Sequence, residues 1–249
     1  MSNCAIILAG GEGKRMKSDK PKTLSEVLGK PMLSWVLSAL QKAGVNDICV
    51  VKGYKSECID EYLSNLDFVV ESVFQAERLG TGHAVMMAED FLSQHDGNVV
   101  ILNGDAPFMS ADTIKKSLEQ HLKTGCAATV ISAQVDDPTG YGRIVRDENE
   151  NLKAIVEQKD ADEATLAITE VNSGGYWFDS QLLLTVLGRI SSDNKAGEYY
   201  LPDAIKLLLS DGKTVGAYAA ECSDAVLGAN DPAQLEELNE IARQKGYSC

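Results

Sequence analysis

The stretch Cys4-Ala5-Ile6-Ile7-Leu8-Ala9-Gly10-Gly11-Glu12-Gly13-Lys14-Arg15-Met16, continued by Lys20-Pro21-Lys22, decides the fold of this 249-residue chain. Cys4 to Ala9 are small or apolar and read as a buried first strand. The glycines after it let the backbone turn tightly and present bare N–H groups to an anion. Arg15 and Lys22 place fixed positive charge beside those groups. Residues 12–22 carry five basic side chains (Lys14, Arg15, Lys17, Lys20, Lys22) against two acids (Glu12, Asp19), a net charge of +3. Such an island suits a small polyphosphate held at close range, although a solvated loop has the same composition.

Two common glycine loops do not fit. A P-loop needs Gly, four residues, then Gly-Lys-Ser/Thr, but Gly13-Lys14 is followed by Arg15, and Leu8 stands where the first glycine belongs. A dinucleotide loop needs Gly-x-Gly-x-x-Gly, but Gly11-Glu12-Gly13 leads to Met16, and the second strand runs into Lys52-Gly53 without a ribose-binding acid. The pattern instead resembles the Leu-x-Gly-Gly-x-Gly-x-Arg-Met/Leu…Pro-Lys signature of the sugar-1-phosphate nucleotidylyltransferases, at every fixed position.

Composition narrows the class further. With 44% hydrophobic and 24% charged residues the chain can bury a full core. A formal net charge of −14 opposes binding to nucleic acid or an anionic membrane, so neither is an expected partner. The six cysteines lack Cys-x-x-Cys spacing and the three histidines do not cluster with them, so no zinc site or disulfide framework is expected. Cys4, Cys49 and Cys126 sit in apolar strand-like runs and read as small core residues. No apolar run reaches membrane-spanning length, and Met1-Ser2-Asn3 is not a signal n-region, so the expected location is the cytoplasm.

Along the chain, strands and helices alternate as in a parallel sheet. Pro31 to Gly44 reads as a helix, Ile48 to Val51 as a strand, Cys58 to Leu66 as a helix and Phe68 to Phe74 as a strand. Gln75-Ala76-Glu77-Arg78-Leu79-Gly80-Thr81-Gly82-His83-Ala84 then opens a helix continuing to Leu92. Val99 to Leu102 delivers Asn103-Gly104-Asp105-Ala106-Pro107 at its carboxyl end, the edge where open α/β sheets bind ligands. Ser110 caps a helix stopped by Gly125, and Cys126 to Val135 is a strand. The parallel pattern breaks at Asp137-Pro138-Thr139-Gly140-Tyr141-Gly142-Arg143-Ile144, where Gly142–Arg146 and Leu152–Val156 read as a hairpin. Asn172-Ser173-Gly174-Gly175 precedes the strand Tyr176 to Phe178. A helix capped by Asp179, a helix over Ile205 to Leu209, a strand from Thr214 to Ala219 and a last helix begun by Asp231-Pro232 complete the chain.

Gln-x-x-x-x-Gly-Thr-Gly-His-Ala, Pro-Thr-Gly-Tyr-Gly-Arg-Ile and Ile-Val-Glu-x-Lys-Asp resemble segments of the bacterial N-acetylglucosamine-1-phosphate uridylyltransferases. The resemblance covers nearly the whole chain. It implies an α/β, Rossmann-like, doubly wound, mixed but mostly parallel sheet, with a hairpin subdomain inserted at roughly 137–178 on the sugar side of one domain spanning 1–249. It implies transfer of UMP from UTP to N-acetyl-α-D-glucosamine 1-phosphate, with Arg15 and Lys22 catalytic. Leu8, Ala9, Gly10, Gly11, Gln75, Gly80 and Thr81 would bind nucleotide, and Gly142, Glu157 and Asn172 the sugar. Asp105 and Asn230 would hold Mg²⁺. Two positions depart from the family pattern: Asn103 replaces a frequent tyrosine and Pro202 a frequent threonine. The family's left-handed β-helix of hexapeptide repeats, which forms trimers and transfers acetyl groups, is absent from these residues. A monomer or weak oligomer is therefore expected, and a stand-alone enzyme and one part of a longer chain both fit. The rival readings are the same chemistry on another hexose 1-phosphate, and a nucleotide-sugar-binding regulatory module without turnover.

Overall fold

The computed structural model describes residues 2–249. β1 (Cys4–Ala9) takes an inner place in the main sheet, which an unbroken apolar run requires, because both of its faces must be covered. Alternation along it feeds two core layers. Cys4 and Ile6 enter one, while Ala5, Ile7 and Ala9 enter the other.

After 3-10 turns at Lys14–Met16 and Lys22–Leu24, a small hairpin of β2 (Glu26–Val27) and β3 (Lys30–Pro31) leads into α1 (Met32–Ala43). Gly44, at φ +85°, closes that helix with an N–H shared between the Gln41 and Leu40 carbonyls. β4 (Asp47–Lys52), α2 (Ser56–Ser64), β5 (Glu71–Phe74), α3 (Thr81–Met86), α4 (Glu89–Ser93) and β6 (Asn98–Asn103) follow. Then come α5 (Ala111–Thr124), β7 (Ala128–Gln134), the hairpin β8 (Arg143–Arg146) and β9 (Leu152–Val156), and α6 (Glu163–Leu166). β10 (Glu170–Asp179), α7 (Ser180–Leu187), α8 (Pro202–Ser210), β11 (Val215–Ala219), a 3-10 turn at Ser223–Val226 and α9 (Pro232–Lys245) finish the chain.

The strand order is β11-β7-β10-β6-β1-β4-β5. β1 pairs in parallel with β4 and β6, β4 with β5, and β7 with β11. β10 runs antiparallel between β6 and β7. The β8–β9 hairpin joins beside the start of β10 through Arg143 and Val171. The fold is therefore α/β with a doubly wound, mixed and mostly parallel sheet and an added hairpin. Residues of α3, α4, α7 and α8 fill the core on one face, and those of α1, α2 and α5 the other. The caps at Ser110, Asp179 and Asp231 form, each side chain accepting from the backbone N–H three residues on.

Four expectations need correction. The helix expected to open within Gln75–Ala84 and run to Leu92 is two, broken at Met87–Ala88, where Ala88 N–H turns to the Val85 carbonyl at 2.9 Å. Val85, Ala88, Phe91 and Leu92 all reach the same core layer across this break. β5 starts at Glu71 rather than Phe68, because its register with β4 begins at Cys49↔Glu71 and Val69 is 86% exposed. The strand after Gly125 is Ala128–Gln134, shorter at both ends than Cys126 to Val135. Asn172-Ser173-Gly174-Gly175 lies inside β10, whose register with β7 shifts between Asn172 and Gly175. Gly174, at φ +76°, supplies the conformation that shift needs.

Candidate active site

The carboxyl ends of β1 and β6 open on one cleft. Gly104 N–H donates to the Leu8 carbonyl at 3.0 Å, which locks the two strand ends together. Gly10 then passes so close to Gly53 that a Cβ on Gly53 would lie 2.6 Å from the Gly10 carbonyl oxygen. Gly13, at φ +59°, turns the chain into the Lys14–Met16 turn, and buried Met16 anchors it. Arg15 is left exposed at the rim.

The cleft has two lobes, of about 490 and 400 Å³. Leu8, Lys22, Thr81, Asn103 and Asp105 line both, so the lobes meet there. The larger lobe also holds Arg15, Gly142, Glu157, Asn172, Pro202 and Asn230, and the smaller holds Gly10, Gly11, Gln75 and Gly80. Every expected site residue therefore lines the cleft except Ala9. That residue is 1% exposed because its side chain points into the core.

At the junction, Lys22 pairs with Asp105 and donates to Asn230 Oδ1 at 3.0 Å, with the Lys22 and Asp105 side chains 17% and 18% exposed. Asp105 comes from the end of β6 and Asn230 from the turn before α9, so the fold joins residues far apart in sequence. Gly228 allows the approach, since a Cβ there would lie 2.9 Å from the Asp105 carbonyl oxygen. Asp105 and Asn230 thus set two hard oxygen donors around the Lys22 ammonium, a donor set of the kind that would suit a hard divalent cation such as Mg²⁺. Among the described residues no group of three or more His, Cys, Asp or Glu side chains could hold a metal.

In the smaller lobe Gln75 is buried, its Nε2 donating to the Gly80 carbonyl at 3.2 Å. Gly80 is at φ +116°, and a Cβ on it would lie 2.6 Å from the Tyr199 carbonyl oxygen. The Thr81 hydroxyl accepts from Leu201 N–H at 3.0 Å, so it also ties the 199–201 segment to the cleft. Arg78 reaches across to Glu12 at 3.0 Å.

The larger lobe is walled by the β8–β9 hairpin and the start of β10. Gly142 lies against the Glu157 carboxylate. Burial, reinforced by the charges of Asp160, Asp203 and Glu198, pushes that carboxyl above the ordinary carboxylate value, against the pull of Arg143. Asn172 donates to Tyr176 Oη at 2.6 Å and accepts from Gly174 N–H at 3.0 Å, so its amide is held rigidly at the wall. The two family departures sit here too: Asn103 packs against Gly174, and Pro202 opens α8.

Three contributors escaped the sequence reading. Arg143 is buried and donates to the Tyr141 carbonyl and to Gln158 Oε1 at 3.2 Å. Gln158 Oε1 also accepts from Gly140 N–H at 2.5 Å, so this pair pins the 139–142 loop that lines the lobe. Tyr176 is buried, and its hydroxyl accepts from the Asn172 amide. His83 faces Gln75. A charged residue at an inward position of an alternating strand was the available signal for Arg143; the other two contacts are made only through space.

The nucleotidyl transferase family model matches residues 4–224, and the chain belongs to that family. It is 46% identical over 245 residues to the "Bifunctional protein GlmU" of Clostridium beijerinckii, covering 98% of this chain and 53% of that protein. It is 44% identical over 241 residues to the protein of the same name from Caldanaerobacter subterraneus, covering 97% of this chain and 52% of that one. The chain thus spans about half the length of these curated relatives. Among solved structures, an apo UDP-glucose pyrophosphorylase superposes with a TM-score of 0.80 at 16% identity, over 99% of this chain and all of that one. A putative glucose-1-phosphate thymidylyltransferase from Bacillus anthracis gives 0.78 at 21% identity, over 100% and 98%. These two likenesses concern the fold. No helix among the described residues is long and apolar enough to cross a membrane.

Proposed function

We propose that this chain transfers UMP from UTP to N-acetyl-α-D-glucosamine 1-phosphate, releasing pyrophosphate. The observation that carries this reading is the two-lobed cleft, whose Gln75 lobe and Glu157/Asn172 lobe share the Lys22–Asp105 junction. A nucleotide in one lobe and a sugar phosphate in the other would bring their phosphates together at that junction. A phosphate oxygen of the sugar attacks the α-phosphorus of UTP, the bond from that phosphorus to the bridging oxygen breaks, and the electron pair leaves with pyrophosphate. The attacking oxygen is already anionic, so no general base is needed, and the side chains act by positioning and by charge. Loop N–H groups at Gly10 and Gly11, with Arg15 and Lys22, hold the phosphates. Asp105 and Asn230 would hold Mg²⁺, which when bound neutralises phosphate charge. Gly142, Glu157 and Asn172 would face the acetamido sugar. We read residues 1–249 as one domain acting in the cytoplasm, with 137–178 as its sugar-side segment.

A pyrophosphate-release assay with UTP, CTP, dTTP, ATP and GTP against N-acetylglucosamine 1-phosphate, glucose 1-phosphate and galactose 1-phosphate, with and without Mg²⁺, tests this. Release with UTP and the acetamido sugar phosphate should dominate. Equal rates with glucose 1-phosphate would remove the sugar assignment. Tight UTP binding without any release would point to a regulatory binding module.

A further inference from the structure

We infer that His83 is a positioning residue that fixes the donor and acceptor sense of the Gln75 amide and so makes the smaller lobe select a uracil-type base edge. The inference rests on the UTP reading above, but its first test does not. Gln75 Nε2 lies 3.2 Å from the Gly80 carbonyl oxygen and 3.0 Å from His83 Nδ1. A carbonyl oxygen only accepts, so the atom facing Gly80 must be the amide nitrogen; a rotated amide would set two oxygens against each other. Both hydrogens of that nitrogen are then consumed, one by Gly80 and the other by His83. His83 Nδ1 must accept, which places the imidazole proton on Nε2.

Gln75 is left with a single free function, its Oε1. Among the described residues nothing donates to this oxygen. It stands beside Gly10, which lines the same lobe; a Cβ on Gly10 would lie 2.8 Å from it. An amide can serve as either donor or acceptor, but this one presents an acceptor alone. The ring N3 of uracil or thymine carries a hydrogen, whereas N3 of cytosine is a bare acceptor. The lobe therefore repels cytosine at the atom where it binds uracil. Selectivity belongs to Gln75 held by both partners: the Gly80 carbonyl and His83 Nδ1 each require the amide nitrogen, and without His83 only the Gly80 carbonyl opposes a rotated amide.

The direct test is nitrogen NMR on protein labelled at the histidine rings, without nucleotide. His83 should show an unprotonated, hydrogen-bonded Nδ1 and a protonated Nε2. A proton on Nδ1 overturns the inference whatever the enzyme's substrate.

The functional test compares UTP with CTP, each with Mg²⁺, in wild type, His83→Asn and His83→Leu. Asn places a carbonyl oxygen near the Nδ1 position and can accept as His83 does; Leu cannot. The UTP-to-CTP ratio of kcat/KM should fall about 5- to 10-fold in His83→Leu, the equivalent of one neutral hydrogen bond, and stay within about threefold of wild type in His83→Asn. An unchanged ratio in a folded His83→Leu protein refutes the positioning role, and so does a ratio as low in His83→Asn. If His83→Leu fails to fold, the NMR result and the His83→Asn ratio decide. The expected NMR pattern together with no preference for UTP in wild type would instead overturn the placement of the base against Gln75.

Discussion

Replacing Glu157 with Gln should make the protein more stable and less active at once. The carboxylate is desolvated and lies near Asp160, Asp203 and Glu198, against which Arg143 pulls as an opposing charge. A group so placed costs stability when ionised. Neutralising it while keeping its shape should add about 1 kcal/mol, or about 2–4 °C in Tm for a chain of this size. The sign depends on pH. The folded carboxyl holds its proton to higher pH than the unfolded one, so its stabilising contribution is full below the ordinary carboxylate value and disappears as pH rises through the raised folded pKa. The Tm advantage of the variant should therefore be small in mild acid and widen towards neutrality. In activity, losing a charged acceptor for a sugar hydroxyl or amide costs about 1.5–3 kcal/mol, or about 10- to 150-fold in kcat/KM for the sugar phosphate, with the KM for UTP little changed. Thermal melts across pH and initial rates with each substrate varied give both readings. A lower Tm at neutral pH would mean that Glu157 is a structural partner, and equal losses for both substrates would remove it from the sugar lobe.

Asp105→Asn should slow turnover on the order of 10²–10³-fold and change its Mg²⁺ dependence at saturating UTP, while Asn230→Ala loses less because water replaces a neutral oxygen; a near wild-type Mg²⁺ titration for Asp105→Asn would make Asp105 a turn residue. Gly80→Ala combines a conformation at φ +116° with a Cβ 2.6 Å from the Tyr199 carbonyl oxygen, and should cost about 3 kcal/mol or more in urea melts. Ser110→Ala removes the cap on Thr113 N–H, 3.0 Å long and away from both lobes. It should cost about 1 kcal/mol in the same melts and leave kcat/KM unchanged, so an activity loss there would signal long-range coupling.

Local physics explains what the residues declare without a structure. An unbroken apolar run bounded by glycines can be read as β1, and side chains one turn ahead of Ile114, Leu182 and Leu235 can be read as caps, because each involves neighbours in sequence. The reversal of β10 is different. Its direction follows from where the β8–β9 hairpin returns the chain, which no local pattern encodes. Likewise the break at Met87–Ala88 lies in residues with good helical spacing and is set by fit to the sheet. In the cleft, glycines and charges at strand ends were legible. The meeting of Lys22 with both Asp105 and Asn230 was not, because it joins three distant stretches of chain, Lys22 and Asn230 being 208 residues apart.

Because β10 runs against its neighbours, it begins, rather than ends, at the edge where β1 and β6 finish. The wall built from Gly142, Glu157 and Asn172 is thereby written into one contiguous stretch of chain, while the opposite wall, from Leu8 to Thr81, is written into another. The lining positions Gly142, Glu157 and Asn172 can therefore be varied together, provided that the buried Tyr176, Trp177 and Phe178 of β10 are kept. A chimera that exchanges residues 137–178 with a relative of the same fold moves one set of contacts as a cassette and leaves the glycine loop, Gln75 and His83 untouched. A random library confined to the exposed positions of that window would likewise vary the larger lobe against a constant smaller one.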